Sequence, residues 1–242
     1  MAFERMPEQM PGSGLATGSA RADAADRALR AQLLATEHWS LLATRSMSWN
    51  ESFARATMFL TLMSGAVVAL ALVAQATSFG DGFVLFALLI LPVVLFVGLA
   101  TYVRLLEINN EDLVWVAGMN RLRRAYLELE PDLARHFITG LTEDRAGIMR
   151  TYGTYEGGTI LHGFVTTPAT IAFVDSMLAA VLAAVLVVQL GMAMAATAAI
   201  GVAAFAVTFA ALFAYGYRSQ RMAGLVAGRE ASALQQDSAP GA

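Results

Sequence analysis

The chain has 242 residues, of which 57% are hydrophobic and only 14% charged, and its formal net charge is −3. Ordinary soluble domains carry about a quarter charged residues, so this composition excludes them, and 16 basic against 19 acidic residues exclude a basic nucleic-acid-binding face. With no cysteine there is no disulfide, thiolate metal site or catalytic thiol.

Residues 1–20 hold Glu4, Arg5, Glu8, two prolines and three glycines, and lack the apolar core of ~7–15 residues that a cleavable signal requires. They are expected to be a disordered tail. From Arg21 to Arg55 there is no glycine or proline and much alanine, leucine and arginine, which predicts a separate amphipathic helix. Its apolar face is read from Leu29, Leu33, Leu34, Trp39, Leu41 and Leu42, to be packed on a central polar segment or on a partner. Trp49 precedes the first apolar run and suits an interfacial aromatic belt.

Four apolar runs follow, predicted as spans over 56–77, 83–103, 168–190 and 194–217. Each can cross a hydrocarbon core of ~30 Å at ~1.5 Å rise per residue. The first two form a hairpin through Ser78–Gly82. Pro92 lies mid-way along the second run, where it removes one backbone donor and is read as a kink near the carbonyl of Leu88, or more sharply as a hinge. The polar insert 104–166 is predicted to begin as a direct helical continuation of the second span. Its apolar stripe is Leu106, Leu113, Val116, Met119, Tyr126 and Leu127, and Pro131 closes it. Short helices are predicted after Pro131 up to Gly140 and over 142–151 with Thr142 as cap, then irregular chain to Pro168. Thr167-Pro168 opens the third run, Gly191-Met192 breaks it from the fourth, and residues 218–242 are expected to be largely disordered.

Arginine placement sets the expected orientation. The segment before the first span, the insert and the C-terminal tail hold all the arginines near span ends, whereas the two hairpin loops hold none. Four spans with both termini and the insert in the cytosol satisfy this asymmetry, and a bacterial plasma membrane is the expected address.

Candidate functional residues are few. Asp175 is the only charge inside an apolar run, seven residues or ~10 Å after Pro168. It reads either as a proton or cation site or as an acid paired with a boundary arginine such as Arg104 or Arg218. Gln75 and Gln189 lie near the outer ends of the first and third spans. Small residues four apart, Gly65/Ala69, Ala179/Ala183, Ala180/Ala184 and Ala199/Ala203, permit close helix approach. Arg104, Arg121, Arg123 and Arg124 are candidates for an anionic lipid headgroup or ligand, against a solvated face in which Glu128 and Glu130 pair with the arginine cluster.

Enzyme signatures are missing. His38, His136 and His162 have no second ligand at metal spacing, and the glycines around Gly153–Gly158 lack the GK[ST] of a phosphate loop. No catalytic residue, metal, cofactor, small-molecule substrate or nucleic-acid partner is expected. The layout over about residues 22–129, an amphipathic helix, a hairpin and a long helix, resembles in architecture the two-span effector domains of bacterial nucleotide-signalled defence systems, from which the second pair of spans departs.

The fold class expected is therefore all-α, a polytopic membrane protein with four transmembrane helices and amphipathic cytosolic helices. Two functional readings stand: a structural or regulatory homo-oligomer in the lipid bilayer, or an ion channel or small transporter, including a pore-forming effector, with Asp175, Gln189 and Pro92 at its pathway.

Overall fold

In the computed structural model, which describes residues 13–153 and 166–237 with side chains over 20–153 and 166–222, every described element is helical. The order is α1 (Ser13–Thr77), α2 (Asp81–Leu129), a 3-10 turn (Pro131–His136), α3 (Arg145–Thr151), α4 (Thr167–Gln189) and α5 (Met194–Asp237). Four of these, α1, α2, α4 and α5, are long and apolar enough to cross a membrane. At ~1.5 Å per residue the shortest of them, α4, measures about 35 Å.

Two elements are longer than the sequence suggested. The segment 21–55 is not a separate helix but the first part of α1, which runs unbroken into the span. No glycine or proline stands between Arg21 and the mid-span Gly65, so nothing interrupts the hydrogen-bond ladder. Helix also reaches back to Ser13, inside the expected N-terminal tail, and α5 continues through Asp237, well into the expected C-terminal one.

The packed face of α1 differs from the expected one for a related reason. Leu29, Leu33, Trp39 and Leu42 are exposed, while His38, Arg45, Ser52, Phe59, Ala66 and Val73 face inward at intervals of seven residues. Leu34 and Leu41 flank that row and are half-buried. A seven-residue repeat is the seam of two helices wound around one another. Here it runs from the polar end of α1 into the apolar end against antiparallel α2, and its small and polar members hid it from a search for leucines.

α2 is the centre of the molecule, packing against α1, α3, α4, α5 and the 3-10 turn. Its helix passes through Pro92, whose side chain is on an exposed face, and continues past Arg104 into the insert. Of the expected stripe, Leu106, Val116 and Met119 are buried and Leu113, Tyr126 and Leu127 half-buried. The helix ends where Glu130 turns extended (φ −142°, ψ 89°), the conformation forced on a residue before proline.

The connections are tight. Ser78 and Phe79 take positive φ (47° and 59°) between α1 and α2, the conformation more often given to glycine. The α4–α5 link uses Gly191 at φ +68°. After Pro131 the chain forms a 3-10 turn rather than an α-helix. The next helix starts at Arg145 rather than 142, because the Asp144 side chain accepts from Gly147 N–H and thereby supplies the cap expected of Thr142. Thr166, one residue earlier than expected, caps α4 through Ala169 N–H. Most of the predicted irregular stretch and His162 lie outside the described residues.

Candidate functional site: a buried acid at a three-helix junction and the ion pairs above it

Gly98 on α2 marks the tightest point of the membrane-embedded part. A Cβ built on it would lie 1.8 Å from Asp175 Oδ1, 2.7 Å from Asp175 Cγ and 2.8 Å from Phe59 Cε2. Only the missing side chain lets α1, α2 and α4 meet there. The sequence makes this place consistently: Gly98 is six residues before Arg104 and Asp175 seven after Pro168, so in antiparallel helices both lie ~9–10 Å inside the same boundary.

Asp175 is wholly buried, and neither of its carboxylate oxygens has a hydrogen-bond partner among the described residues. Its neighbour Ser176 is equally buried but donates to Ala172 O at 2.6 Å and is satisfied within α4. The pairing with Arg104 or Arg218 suggested by the sequence is not made. Arg104 is fully occupied elsewhere: Nε and Nη2 donate to the two oxygens of Glu51 at 3.1 and 3.2 Å, and Nη1 donates to Glu107 at 3.2 Å and Glu111 at 3.0 Å. Arg218 lies on an exposed face of α5.

Pro92 and Gln189 do not join Asp175. Both are exposed, so the three residues of the expected pathway are not brought together; Gln75 is exposed as well. Of the small residues, Ala180 and Ala184 receive α5, but through Gly201, whose Cβ position is 3.6 Å from Ala180 O, rather than through Ala199 and Ala203, which are exposed. Gly65 has open space around it. A second close approach, at Gly216, admits the Tyr102 hydroxyl, which donates to Leu212 O at 2.6 Å and ties α2 to α5.

Comparison with protein-family models, with curated proteins and with solved structures gave no match. The side chains themselves therefore carry the functional argument.

Beyond the spans, α1 and α2 are joined by ion pairs. Glu51 accepts from Arg104 and from Arg55, whose Nε lies 2.8 Å away, and these two guanidinium groups hold its carboxyl down to about 2. Higher up, the Arg45 fork grips Asp112 with Nε–Oδ1 2.6 Å and Nη2–Oδ2 3.2 Å, while Tyr152, the residue that caps the C-terminus of α3, donates to the same carboxylate. Arg45 also lies over the Tyr152 ring, 5.3 Å from its centre. Burial, then the hydrogen bond to Asp112, raises the Tyr152 phenol above its ordinary range. Asn120, fully buried, accepts from Arg123 (2.7 Å) and Thr151 (2.8 Å) and donates to Thr142 O.

The arginine cluster is spent on the protein. Arg121 and Arg124 pair with Glu143 at 2.7 and 3.3 Å, not with Glu128 or Glu130, because the turn before α3 folds Glu143 back onto α2. Arg123 is buried beside His38 and Arg45; burial first and Arg45 second lower its affinity for a proton. Three of the four arginines considered for an anionic headgroup or ligand thus have carboxylate partners within the chain, and the fourth is held by Asn120. Sequence reasoning alone does not single out Gly98, Gly216, Glu51 or Asp112 as key positions. The signal available was a glycine inside an apolar run, which costs helix stability unless something must approach closely.

Proposed function

We propose that the chain is a structural or regulatory integral membrane protein that works as a homo-oligomer. It sits in a bacterial plasma membrane with both termini and the ion-paired helical extension on the cytosolic side. The reading is carried by one observation: α2 is a single helix of 49 residues that packs on every other described helix and joins the apolar bundle to the polar extension. Such a helix suits a protein that holds or relays a conformation.

The apolar side chains of Leu29, Leu33, Trp39 and Met47 support the oligomer, since they lie on the part of α1 beyond the span and are more than half exposed in the single chain. The orientation rests on the sequence distribution of the arginines, none of which lies in either hairpin loop. Native mass spectrometry from gentle detergent tests the proposal: a defined multimer is expected, and a single dispersed monomer counts against it.

A second reading, an ion channel or small transporter with Asp175 in or near the pathway, including a pore-forming effector, is favoured by the two unpartnered oxygens of that residue. It predicts ion flux in liposomes that Asp175→Asn alters. An absence of flux under every gradient and voltage applied removes it.

A further inference from the structure

We propose that Asp175 is a reversible proton-binding site, built at the junction of α1, α2 and α4, and that gain or loss of the proton sets how closely α4 packs on α2. The site stands independently of any assigned function; only its use as a signal rests on the regulatory reading above.

Three independent features make it a site. The carboxyl is completely enclosed, and both oxygens lack partners among the described residues. The space it occupies is created by Gly98, since any Cβ there would collide with Oδ1. The third side is the edge of Phe59, itself fully buried. An acid forced into a membrane helix only for solubility would snorkel or pair with an arginine; this one does neither.

The charges around it confirm the proton as the occupant that fits. On α1, the residues of the span bring no titratable group, and the nearest acids and bases toward the boundary are Glu51 and Arg55, already joined. On α2 there are Tyr102, bonded to Leu212 O, and Arg104, bonded to three glutamates. On α4 Asp175 is the only titratable residue, and on α5 Tyr215, Tyr217 and Arg218 are on exposed faces. Among the described residues no cation faces the carboxylate, so its charge must be neutralised by a bound proton or left uncompensated in apolar surroundings. A metal ion would require several oxygen ligands, whereas a glycine backbone and a phenyl edge are what Oδ1 meets.

The chemistry is a simple protonation: carboxylate plus H⁺ from water on the boundary side gives the neutral carboxylic acid. With the proton bound, the junction closes as described. Once it leaves, the negative charge draws water or a counter-ion, and the contact of Asp175 with Gly98 is the one that must loosen to admit it.

Two measurements on the full-length protein in liposomes test this. Infrared difference spectra with [4-13C]aspartate should show a protonated acid carbonyl that disappears on alkalinisation and is lost in Asp175→Asn. Pulsed electron resonance between spin labels at V93C and M177C, both exposed positions on α2 and α4, should show a distance that increases over the same titration and stays constant in Asp175→Asn. Circular dichroism of Asp175→Asn and of Asp175→Glu verifies that each variant is folded; should Asp175→Asn not fold, the isotope-edited band and the distance in the otherwise native chain decide. An acid band that is absent at every pH, or that never titrates, overturns the site. A distance that is unchanged, or that changes equally in Asp175→Asn, overturns its coupling to packing. With the labelled chain diluted in unlabelled protein, both readouts report on single chains, so a monomer by mass spectrometry would remove the regulatory reading and leave the proton site in place.

Discussion

Gly98→Ala isolates the close approach on which the membrane bundle depends. The added methyl would sit 1.8 Å from Asp175 Oδ1 and 2.8 Å from Phe59 Cε2, about half and three-quarters of ordinary contact distance, so α4 and α1 must both give way. Overpacking of this kind costs about 1–3 kcal/mol, and helix propensity returns at most ~1 kcal/mol of it. Gly65→Ala is the matched control, because nothing lies within 4 Å of its Cβ position, and it should be neutral or slightly stabilising. Unfolding by SDS titration in mixed micelles, followed by tryptophan fluorescence, gives both values. The decisive variant is Gly98→Ala combined with Asp175→Ala, which vacates the space the methyl needs. The two changes should couple favourably by about 1 kcal/mol or more. If Gly98→Ala matches the wild type, or if removal of the Asp175 carboxyl does not relieve it, the packing argument fails.

Further expectations concern the ion pairs and the link to α5. Asp112→Ala strands Arg45 and removes the acceptor of Tyr152, so it should cost about 3–5 kcal/mol, and Arg45→Met with Asp112→Leu should recover much of that loss in the same assay. Tyr102→Phe removes the bond to Leu212 O and should lower stability by about 0.5–1.5 kcal/mol without changing helix content by circular dichroism. Glu51, held down to about 2 when folded against 4.5 for the free side chain, stabilises the fold above pH 4.5; that contribution should fade on acidification toward about 2, and Glu51→Gln should flatten this part of the stability profile. His38 has a folded pKa lowered by burial and by Arg123, so the unfolded chain takes up its proton first. Stability should therefore fall as pH drops below the ordinary 6.5, a loss absent in His38→Gln.

The spans were legible because bilayer thickness imposes a length and an apolarity that composition shows directly: the first run ends at Thr77 in sequence and structure alike. The α2 extension could be read from its stripe and from Pro131, since each has a local cause. Contacts between distant segments could not. Nothing near Glu143 shows that it reaches Arg121, or near Glu51 that it reaches Arg104, because those pairs depend on how two rods are placed side by side. Asp175 stood out as a charge in an apolar run, yet its lack of a partner is a property of three helices at once. The seam of α1 was overlooked because arginine, serine and alanine occupy positions where leucine was sought.

The continuity of α2 gives the molecule the mechanics of a lever. Thirty-one residues separate Gly98 from Leu129, or about 47 Å of unbroken helix. A tilt of about 5° with its pivot at Gly98 would therefore swing the far end by about 4 Å, close to the width of a side chain. A change of a few degrees in how α2 leans on Asp175 is thus magnified at the end that carries Glu143 and the 3-10 turn.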